Sequence, residues 1–189
     1  FGKEYLPSGN RNIADILRTF DFNKVIKFKT PIVNGGFEIM AQVPSWDKNN
    51  PERYQDMPDG WHKCGSCPKD AIVKVVKNNA CKGRNCVMFD TTKIADGMIK
   101  DVWLRNELFF PALKGHTYEF SAFLKTAPGS KDTKAGLALF GDSVGGKFII
   151  GRQEVTVTPA WTQYKVVWQV PQDGLKNDKL SVLIELATK

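Results

Sequence analysis

The chain has 189 residues, of which 42% are apolar and 25% charged, a composition typical of a folded water-soluble domain that excludes extensive disorder. No apolar run approaches the roughly 18–20 residues that cross a bilayer, so we expect no membrane span. The formal net charge of +7 comes from Lys and Arg residues that are scattered along the chain. Without a block of like charges, nucleic acid is not an expected partner.

One short helix is predicted near the start of the chain. In SGNRNIADILRTF, residues 8–20, apolar residues recur at helical spacing behind a Ser or Asn that can cap the first turn. Helical spacing disappears after this stretch. We therefore expect residues 1–30 to form an N-terminal extension and residues 31–189 to form the main domain.

The remainder of the chain consists of about nine short apolar or alternating runs separated by Gly, Pro, Asn and Asp, a pattern typical of an antiparallel sandwich or barrel. In YEFSAFLKT, residues 118–126, one face carries Tyr, Phe, Ala and Leu, and the other carries Glu, Ser, Phe and Lys. In TQYKVVWQV, residues 162–170, the alternate residues from Tyr164 to Val170 share one face. Such half-buried strands predict an all-β fold of two stacked sheets.

No stretch carries a recognisable catalytic motif. The two histidines, His62 and His116, stand outside any nucleophile or metal pattern. GDSVGGKF, residues 141–148, has the glycine spacing of a phosphate loop, but Phe148 occupies the position of the magnesium-binding hydroxyl and strand-like residues follow. We interpret this stretch as a hairpin turn and expect no enzymatic activity in the chain itself.

Four motifs occur in order between residues 33 and 171: VNGGFE (33–38), DGW (59–61), PALKGHTYEFSAFLKT (111–126) and VTVTPAWTQYKVVWQVP (155–171). In these motifs the chain resembles the extracellular carbohydrate-binding modules of the family 4, 16 and 22 kind, which are galactose-binding-domain-like. The resemblance implies a jelly-roll β-sandwich that binds a polysaccharide or oligosaccharide without transforming it. It also implies a secreted or cell-surface location, and a place in a larger polysaccharide-degrading enzyme.

The resemblance further implies a structural calcium ion, because members of the family often bind one through the Glu of the opening motif. Here that residue is Glu38. The alternative interpretation is that the Glu38 carboxylate accepts hydrogen bonds from loop amides.

Sugar rings stack their apolar C–H faces on exposed aromatic rings, while polar side chains bond their hydroxyl groups. In DVWLRNEL, residues 101–108, the tryptophan shares its strand face with charged residues, which is unusual for a core position. The long loop of residues 44–70 supplies further aromatics among polar residues. The predicted carbohydrate-binding residues are Trp103, Arg105, Glu107, Phe123, Lys125, Trp46 and Tyr54. The tryptophans expected in the core are Trp61, Trp161 and Trp168.

All four cysteines lie between residues 64 and 86, in the pattern C-x2-C, 13 residues, C-x4-C, which is close to a zinc-ribbon spacing but not identical to it. AIVKVVK and CVMFDTT are predicted hairpin strands about 23 Å long, which separate one cysteine pair from the other by more than a single ion can span. Together with the implied extracellular location, this favours disulfides Cys64–Cys67 and Cys81–Cys86. If the segment folds back on itself, Cys67–Cys81 with Cys64–Cys86, or zinc, becomes the alternative.

The sequence is also compatible with a second class of function. The same sandwich occurs in structural or adhesive domains of cell-surface assemblies, in which an exposed sheet edge pairs with a strand of a neighbouring protein. In that case the N-terminal segment is the candidate contact with the protein partner.

Overall fold

The computed structural model describes residues 32, 34–41, 56–63, 72–94, 102–106, 108–130, 133–141, 149–173 and 175–186. The chain divides into two compact units, Phe1–Pro31 and Ile32–Lys189, and every described residue belongs to the second. The helix predicted within residues 8–20 therefore lies outside the described residues.

The second unit is all-β and antiparallel in its described ranges, which confirms the predicted fold class. Within those ranges no helix is long and apolar enough to cross a membrane. The strands are β1 Trp61–Lys63, β2 Ile72–Lys77, β3 Asn85–Asp90, β4 Trp103–Asn106, β5 Phe110–Pro111, β6 Thr117–Leu124, β7 Thr133–Gly141, β8 Ile149–Val157, β9 Thr162–Gln169 and β10 Lys179–Leu186.

Three sheets are formed by the described strands. The large sheet has the order β1-β4-β10-β7-β8, and the short strand β5 also pairs with β10. The pairs β2-β3 and β6-β9 form the two other sheets, and β2-β3 is the hairpin that the sequence predicts. Strand β7 lies inside the large sheet, so its central residues are apolar and buried on both faces.

The main core lies between the large sheet and the two smaller sheets. The large sheet contributes Leu104, Leu137 and Val182, and each is at most 1% exposed. Phe120 of β6 and Val166 of β9 pack against the same cluster from the opposite side. Because each strand sends alternate side chains to this core, the remaining side chains of each sheet point away from it.

The first two sequence motifs meet at one edge of this core. Asn34 has a φ of 52°, and its side-chain amide donates hydrogen bonds to the carbonyls of Ile39 (2.8 Å) and Asp59 (3.0 Å). The indole N–H of Trp61 donates to the carbonyl of Asn34, and the Trp61 ring meets Phe37 edge to face at 5.2 Å. Trp61 is 2% exposed, as expected for a core tryptophan. These contacts show that the residues of the first two motifs have a structural role in the fold.

Candidate functional site

Strand β4 sends Leu104 and Asn106 into the buried side of the large sheet and turns Trp103 and Arg105 to the outer side. Leu104 belongs to the main core, whereas Trp103 and Arg105 are half-buried and lie outside it. The alternation predicted from the sequence is therefore present at this strand. It makes the outer face of the large sheet the first candidate surface.

The strand register places side chains of five strands side by side on this surface. His62 lies opposite Arg105, and the same row continues across the sheet through Leu183 and Ala138 to Arg152. Leu183 and Ala138 are buried although they belong to the outer row, so they form an apolar floor between charged flanks. We call this surface the Trp103 face; it comprises His62, Trp103, Arg105, Phe140, Glu185 and Arg152.

Arg105 occupies the centre of an aromatic cluster on the Trp103 face. Its guanidinium carbon lies 4.6 Å from the ring centroid of Phe140, 5.8 Å from that of Trp103 and 6.0 Å from that of Phe109. The His62 ring meets the Trp103 ring edge to face at 5.4 Å. A cation over aromatic rings is favoured by the ring quadrupole, and these contacts hold the planar guanidinium beside the rings.

The charges beside this cluster are balanced within a chain of ion pairs. Lys134 lies 2.9 Å from Glu154, Arg152 lies 3.6 Å from the same carboxylate, and the Arg152 Nε–H donates to Glu185. The hydrogen bond from Lys134 lowers the pKa of Glu154, and the bond to Glu185 raises the pKa of Arg152. The face thus offers both signs of charge in fixed positions.

Gly136 leaves the space that the Glu185 carboxylate occupies. A Cβ atom at this glycine would lie 2.6 Å from Glu185 Oε1 and 2.8 Å from its Cγ. Glu185 is also the register neighbour of Trp103 across β4 and β10. An aromatic ring and a carboxylate therefore stand next to each other on the Trp103 face.

A second candidate surface lies on the outer side of β6 and β9. Phe123 pairs with Gln163 in the strand register and is 36% exposed, while its neighbour Leu124 packs against the core. The Gln163 amide donates to the Ser121 hydroxyl at 3.1 Å. Just beyond Leu124 and Thr162, the last pair of the register, the Lys125 ammonium group lies 5.0 Å from the centroid of the Trp161 ring.

The tip of the β2-β3 hairpin completes this second surface. The Lys82 ammonium group lies 5.4 Å from the ring centroid of Phe123, and the Lys125 ammonium group donates to the Asn79 side chain at 2.7 Å. We call this surface the Phe123 face; it comprises Lys82, Phe123, Lys125, Trp161 and Gln163.

The two faces point in opposite directions because the main core lies between the sheets that carry them. Trp103 and Arg105 therefore do not share a groove with Phe123 and Lys125, although the sequence predicts all four as members of one carbohydrate-binding set. The other members of that set, Glu107, Trp46 and Tyr54, lie outside the described residues.

Glu38 holds the hairpin tip. Its Oε1 accepts hydrogen bonds from the backbone amides of Arg84 (2.7 Å) and Asn85 (3.2 Å), and its Oε2 lies 3.8 Å from Arg84 Nε. The two amide bonds, followed by the Arg84 charge, lower the pKa of the Glu38 carboxyl below its usual value. The loop-amide alternative therefore describes this side chain, and calcium binding by Glu38 stays a prediction.

Gly83 permits this arrangement. It has a φ of 76°, and a Cβ atom there would lie 2.2 Å from Glu38 Oε1. Only glycine at this position leaves room for the Glu38 carboxylate to approach the amides of the next two residues, Arg84 and Asn85.

Cys81 and Cys86 are free thiols in this structure, so the predicted Cys81–Cys86 disulfide is not formed in it. Cys86 sits in the β3 ladder opposite Val76, whereas Cys81 lies inside the tip loop that the Asn78–Arg84 backbone bond closes. Burial raises the pKa of the Cys86 thiol. Cys64 and Cys67 lie outside the described residues. Within the described ranges, no three His, Cys, Asp or Glu side chains gather in a way that could hold a metal ion.

Trp161 corrects one expectation from the sequence. We expect a core position from its place in the fourth motif, but it is half-buried beneath Lys125 on the outer side of its sheet. The alternation of side chains predicts this outward position. Trp161 alternates in step with the outward-facing Gln163 and out of step with the core residues Val166 and Trp168. Glu185 and Phe140 are further site residues that the sequence analysis does not single out.

No protein-family model and no curated protein matches this sequence. Solved structures similar in fold include carbohydrate-binding modules. One is the N-terminal endo-1,4-beta-D-xylanase 10B of Clostridium thermocellum, with its CBM22-1 and GH10 modules and xylohexaose, at 18% identity and a TM-score of 0.44. The likeness covers 69% of this chain, which spans about a quarter of that chain's length (24%).

Two further structures match over most of their own length. A CBM4 structure is 16% identical with a TM-score of 0.48, and covers 82% of this chain and 88% of its own. The CBM22-1 xylan-binding domain of Xyn10C from Paenibacillus barcinonensis is 16% identical with a TM-score of 0.42, and covers 69% of this chain and 87% of its own.

Proposed function

We propose that this chain is a non-catalytic carbohydrate-binding module that holds a polysaccharide on its Trp103 face. The observation that carries the proposal is the cluster of aromatic rings around Arg105, with the Glu185 carboxylate beside Trp103. A pyranose ring has an apolar C–H face and a rim of hydroxyl groups. Trp103 stacks against the apolar face, and the charged groups beside it bond the hydroxyls.

The balance of charge on this face favours a neutral polysaccharide. Glu154 and Glu185 are paired with Lys134 and Arg152, and the Arg105 guanidinium lies among aromatic rings, so the face presents no row of unpaired like charges to attract a charged polymer. The paired groups are also oriented by their partners, which lowers the entropy lost when they bond a hydroxyl group.

The proposal includes an extracellular or cell-surface location and the absence of catalysis. Both follow from the motif resemblance between residues 33 and 171, and both suit a protein that meets polysaccharides outside the cell. Glu107, Trp46 and Tyr54 remain predicted contributors to sugar binding.

Affinity electrophoresis in gels containing neutral soluble polysaccharides, such as arabinoxylan, glucomannan and hydroxyethyl cellulose, tests the proposal. At least one of them is expected to retard the wild-type chain. Trp103→Ala is expected to weaken that binding about tenfold, and Trp103→Phe, which keeps an aromatic face, by less. Leu113→Ala serves as the control because Leu113 is an exposed apolar residue that belongs to neither face.

Two results would contradict the proposal. One is the absence of retardation of the wild type in every polysaccharide, including those of a glycan array. The other is equal retardation of the wild type and Trp103→Ala. Release of reducing ends from a retarding polysaccharide by the purified chain would contradict the absence of catalysis.

A further inference from the structure

The Phe123 face combines two aromatic rings, each with a lysine ammonium group above it. Lys82 lies 5.4 Å from the Phe123 ring and Lys125 lies 5.0 Å from the Trp161 ring. Phe123 of β6 lies opposite Gln163 of β9, and Trp161 immediately precedes β9 with the same alternation as Gln163, so both rings belong to the same outer side. The face therefore presents two similar ring-and-cation units side by side.

The charge of this face differs from that of the Trp103 face. Neither Lys82 nor Lys125 has a carboxylate partner within the described residues, and the nearby Glu119 carboxylate is paired with Lys165 at 3.1 Å. The two ammonium groups thus leave a local excess of positive charge beside exposed aromatic surface.

We infer that the Phe123 face is a second binding site, distinct from the Trp103 face, and that its ligand is a polysaccharide of uronic acids. Uronic acid rings supply both groups that the face requires. Their carboxylates draw the Lys82 and Lys125 ammonium groups off the aromatic rings, and their C–H faces stack on the ring surfaces of Phe123 and Trp161 that are then uncovered. Gln163, between the aromatic rings on the same face, is placed to bond a ring hydroxyl group.

The geometry favours a carboxylate over a sulfate ester. In a uronic acid the carboxylate carbon is bonded directly to the sugar ring, so the ring face and the charge reach the protein at nearly the same place. Each ammonium group here lies close above its aromatic ring, at 5.0 and 5.4 Å from the centroid. A sulfate ester projects further from the ring through its C–O–S linkage.

The test compares retardation in polygalacturonate with retardation in its methyl-esterified form, which has the same rings without the charge. The wild type is expected to bind polygalacturonate and to lose that binding as salt is raised. Lys82→Gln and Lys125→Gln are each expected to weaken binding about three- to fivefold, and the double variant about tenfold or more. Lys114→Gln removes the same charge from an exposed turn elsewhere and is expected to change little.

Several outcomes would overturn the inference. They are equal retardation in the esterified polymer, equal effects of Lys114→Gln and Lys82→Gln, and failure of the wild type to bind polygalacturonate. Retardation by dextran sulfate or duplex DNA that matches or exceeds retardation by polygalacturonate would replace the proposed ligand by a general polyanion. Urea unfolding of each variant shows whether lost binding reflects lost folding.

The inference does not depend on the proposed function, because the two faces carry separate residues. Trp103→Ala is expected to keep its affinity for polygalacturonate, and the Lys82→Gln, Lys125→Gln double variant is expected to keep its affinity for the neutral polysaccharide. Loss of both affinities in Trp103→Ala would assign both ligands to one site and contradict the second site.

Discussion

The Trp103 face and the Phe123 face are built in different ways. The residues of the Trp103 face lie in rows across paired strands, so the backbone ladder alone fixes their spacing. The Phe123 face also needs the hairpin tip, because Lys82 reaches Phe123 from a different sheet. One surface is therefore as rigid as the sheet that carries it, and the other depends on a contact that Glu38 and Gly83 maintain.

The difference also extends to charge. On the Trp103 face each carboxylate lies beside a cation, whereas on the Phe123 face the cations adjacent to the rings are not neutralised by carboxylates in the described part of the chain. A fold with two outer faces can thus present a surface suited to hydroxyl groups and another suited to acidic groups. The following variants test that separation.

The largest effect is expected from Leu137→Ala, which removes a side chain that is 0% exposed in the shared core. We expect a loss of about 2–5 kcal/mol in the free energy of unfolding, because the cavity is added to the lost transfer free energy. Urea unfolding measures this loss, and both affinities should fall together once the variant unfolds. The exposed-residue control Leu113→Ala should stay within about 0.5 kcal/mol of the wild type. A loss below about 1 kcal/mol for Leu137→Ala would mean that this core does not support the two faces jointly.

Gly83→Ala should damage the Phe123 face selectively. The new Cβ atom requires a left-handed backbone at φ 76° and lies 2.2 Å from Glu38 Oε1, so we expect a loss of about 1–3 kcal/mol in urea unfolding. Polygalacturonate affinity should fall with the displaced tip while neutral-polysaccharide affinity is retained. Gly129→Ala is the matched control, since Gly129 has a φ of 78° but no heavy atom within 4 Å of the place that the new methyl group would take. Equal losses for the two variants would show that the Glu38 contact contributes nothing.

Gly136→Ala should damage the Trp103 face selectively. A methyl group there forces Glu185 away from Arg152, because its Cβ would lie 2.6 Å from Glu185 Oε1. We expect affinity for the neutral polysaccharide to fall about three- to tenfold, the range for the loss of an ordinary solvent-accessible hydrogen bond, with a smaller change in stability. The control is Gly35→Ala, whose Cβ atom meets its nearest neighbour at an ordinary 3.7 Å. Unchanged affinity in Gly136→Ala would remove Glu185 from the site.

The smallest effect is expected from the titration of Glu38. Its pKa lies below the usual 4.5 in the folded chain, because the Arg84 and Asn85 amides donate to the carboxylate. The charged form is therefore favoured by folding, and its stabilising contribution is present above pH 4.5 and lost as the pH falls through the lowered pKa. Midpoints of urea unfolding for wild type and Glu38→Gln should differ near neutral pH and converge in that acidic range. A difference that is independent of pH would contradict the role of the ionised carboxylate.

Period-two alternation predicted much of this molecule. It predicts Trp103 and Arg105 on the outer side of β4, and it predicts Phe123 on the side of β6 that faces away from the core. Alternation works here because each of these strands has one face in the core and one outside it. The hairpin of residues 72–90 is predicted instead by two short apolar runs and the turn residues between them.

The remainder of the site depends on pairings between distant residues. Nothing local indicates that Lys82 meets Phe123, or that Glu38 reaches the amides of a hairpin 46 residues away. The sequence does not indicate Glu185, because LSVLIELAT is apolar at nearly every position and does not show which side of the strand faces outward. The pairing of β10 with β4 places Glu185 beside Trp103 on the outer side. The expectation of a core position for Trp161 is wrong because it rests on the place of Trp161 in the fourth motif, whereas the alternation of side chains puts this residue on the outer side.

The Glu38 link also sets how the hairpin tip moves. The two hydrogen bonds join Glu38 to Arg84 and Asn85, which follow it by 46 and 47 positions in the sequence. Both bonds lie at the surface, so they can break while every ladder bond of the large sheet stays intact. The amide hydrogens of Arg84 and Asn85 should therefore exchange with solvent by local opening, well before that of Leu137 in β7, which is paired on both sides. An acidic sugar chain held between Lys82 and Phe123 would tie the tip to β6, and the slowing of exchange at these two amides would report its arrival.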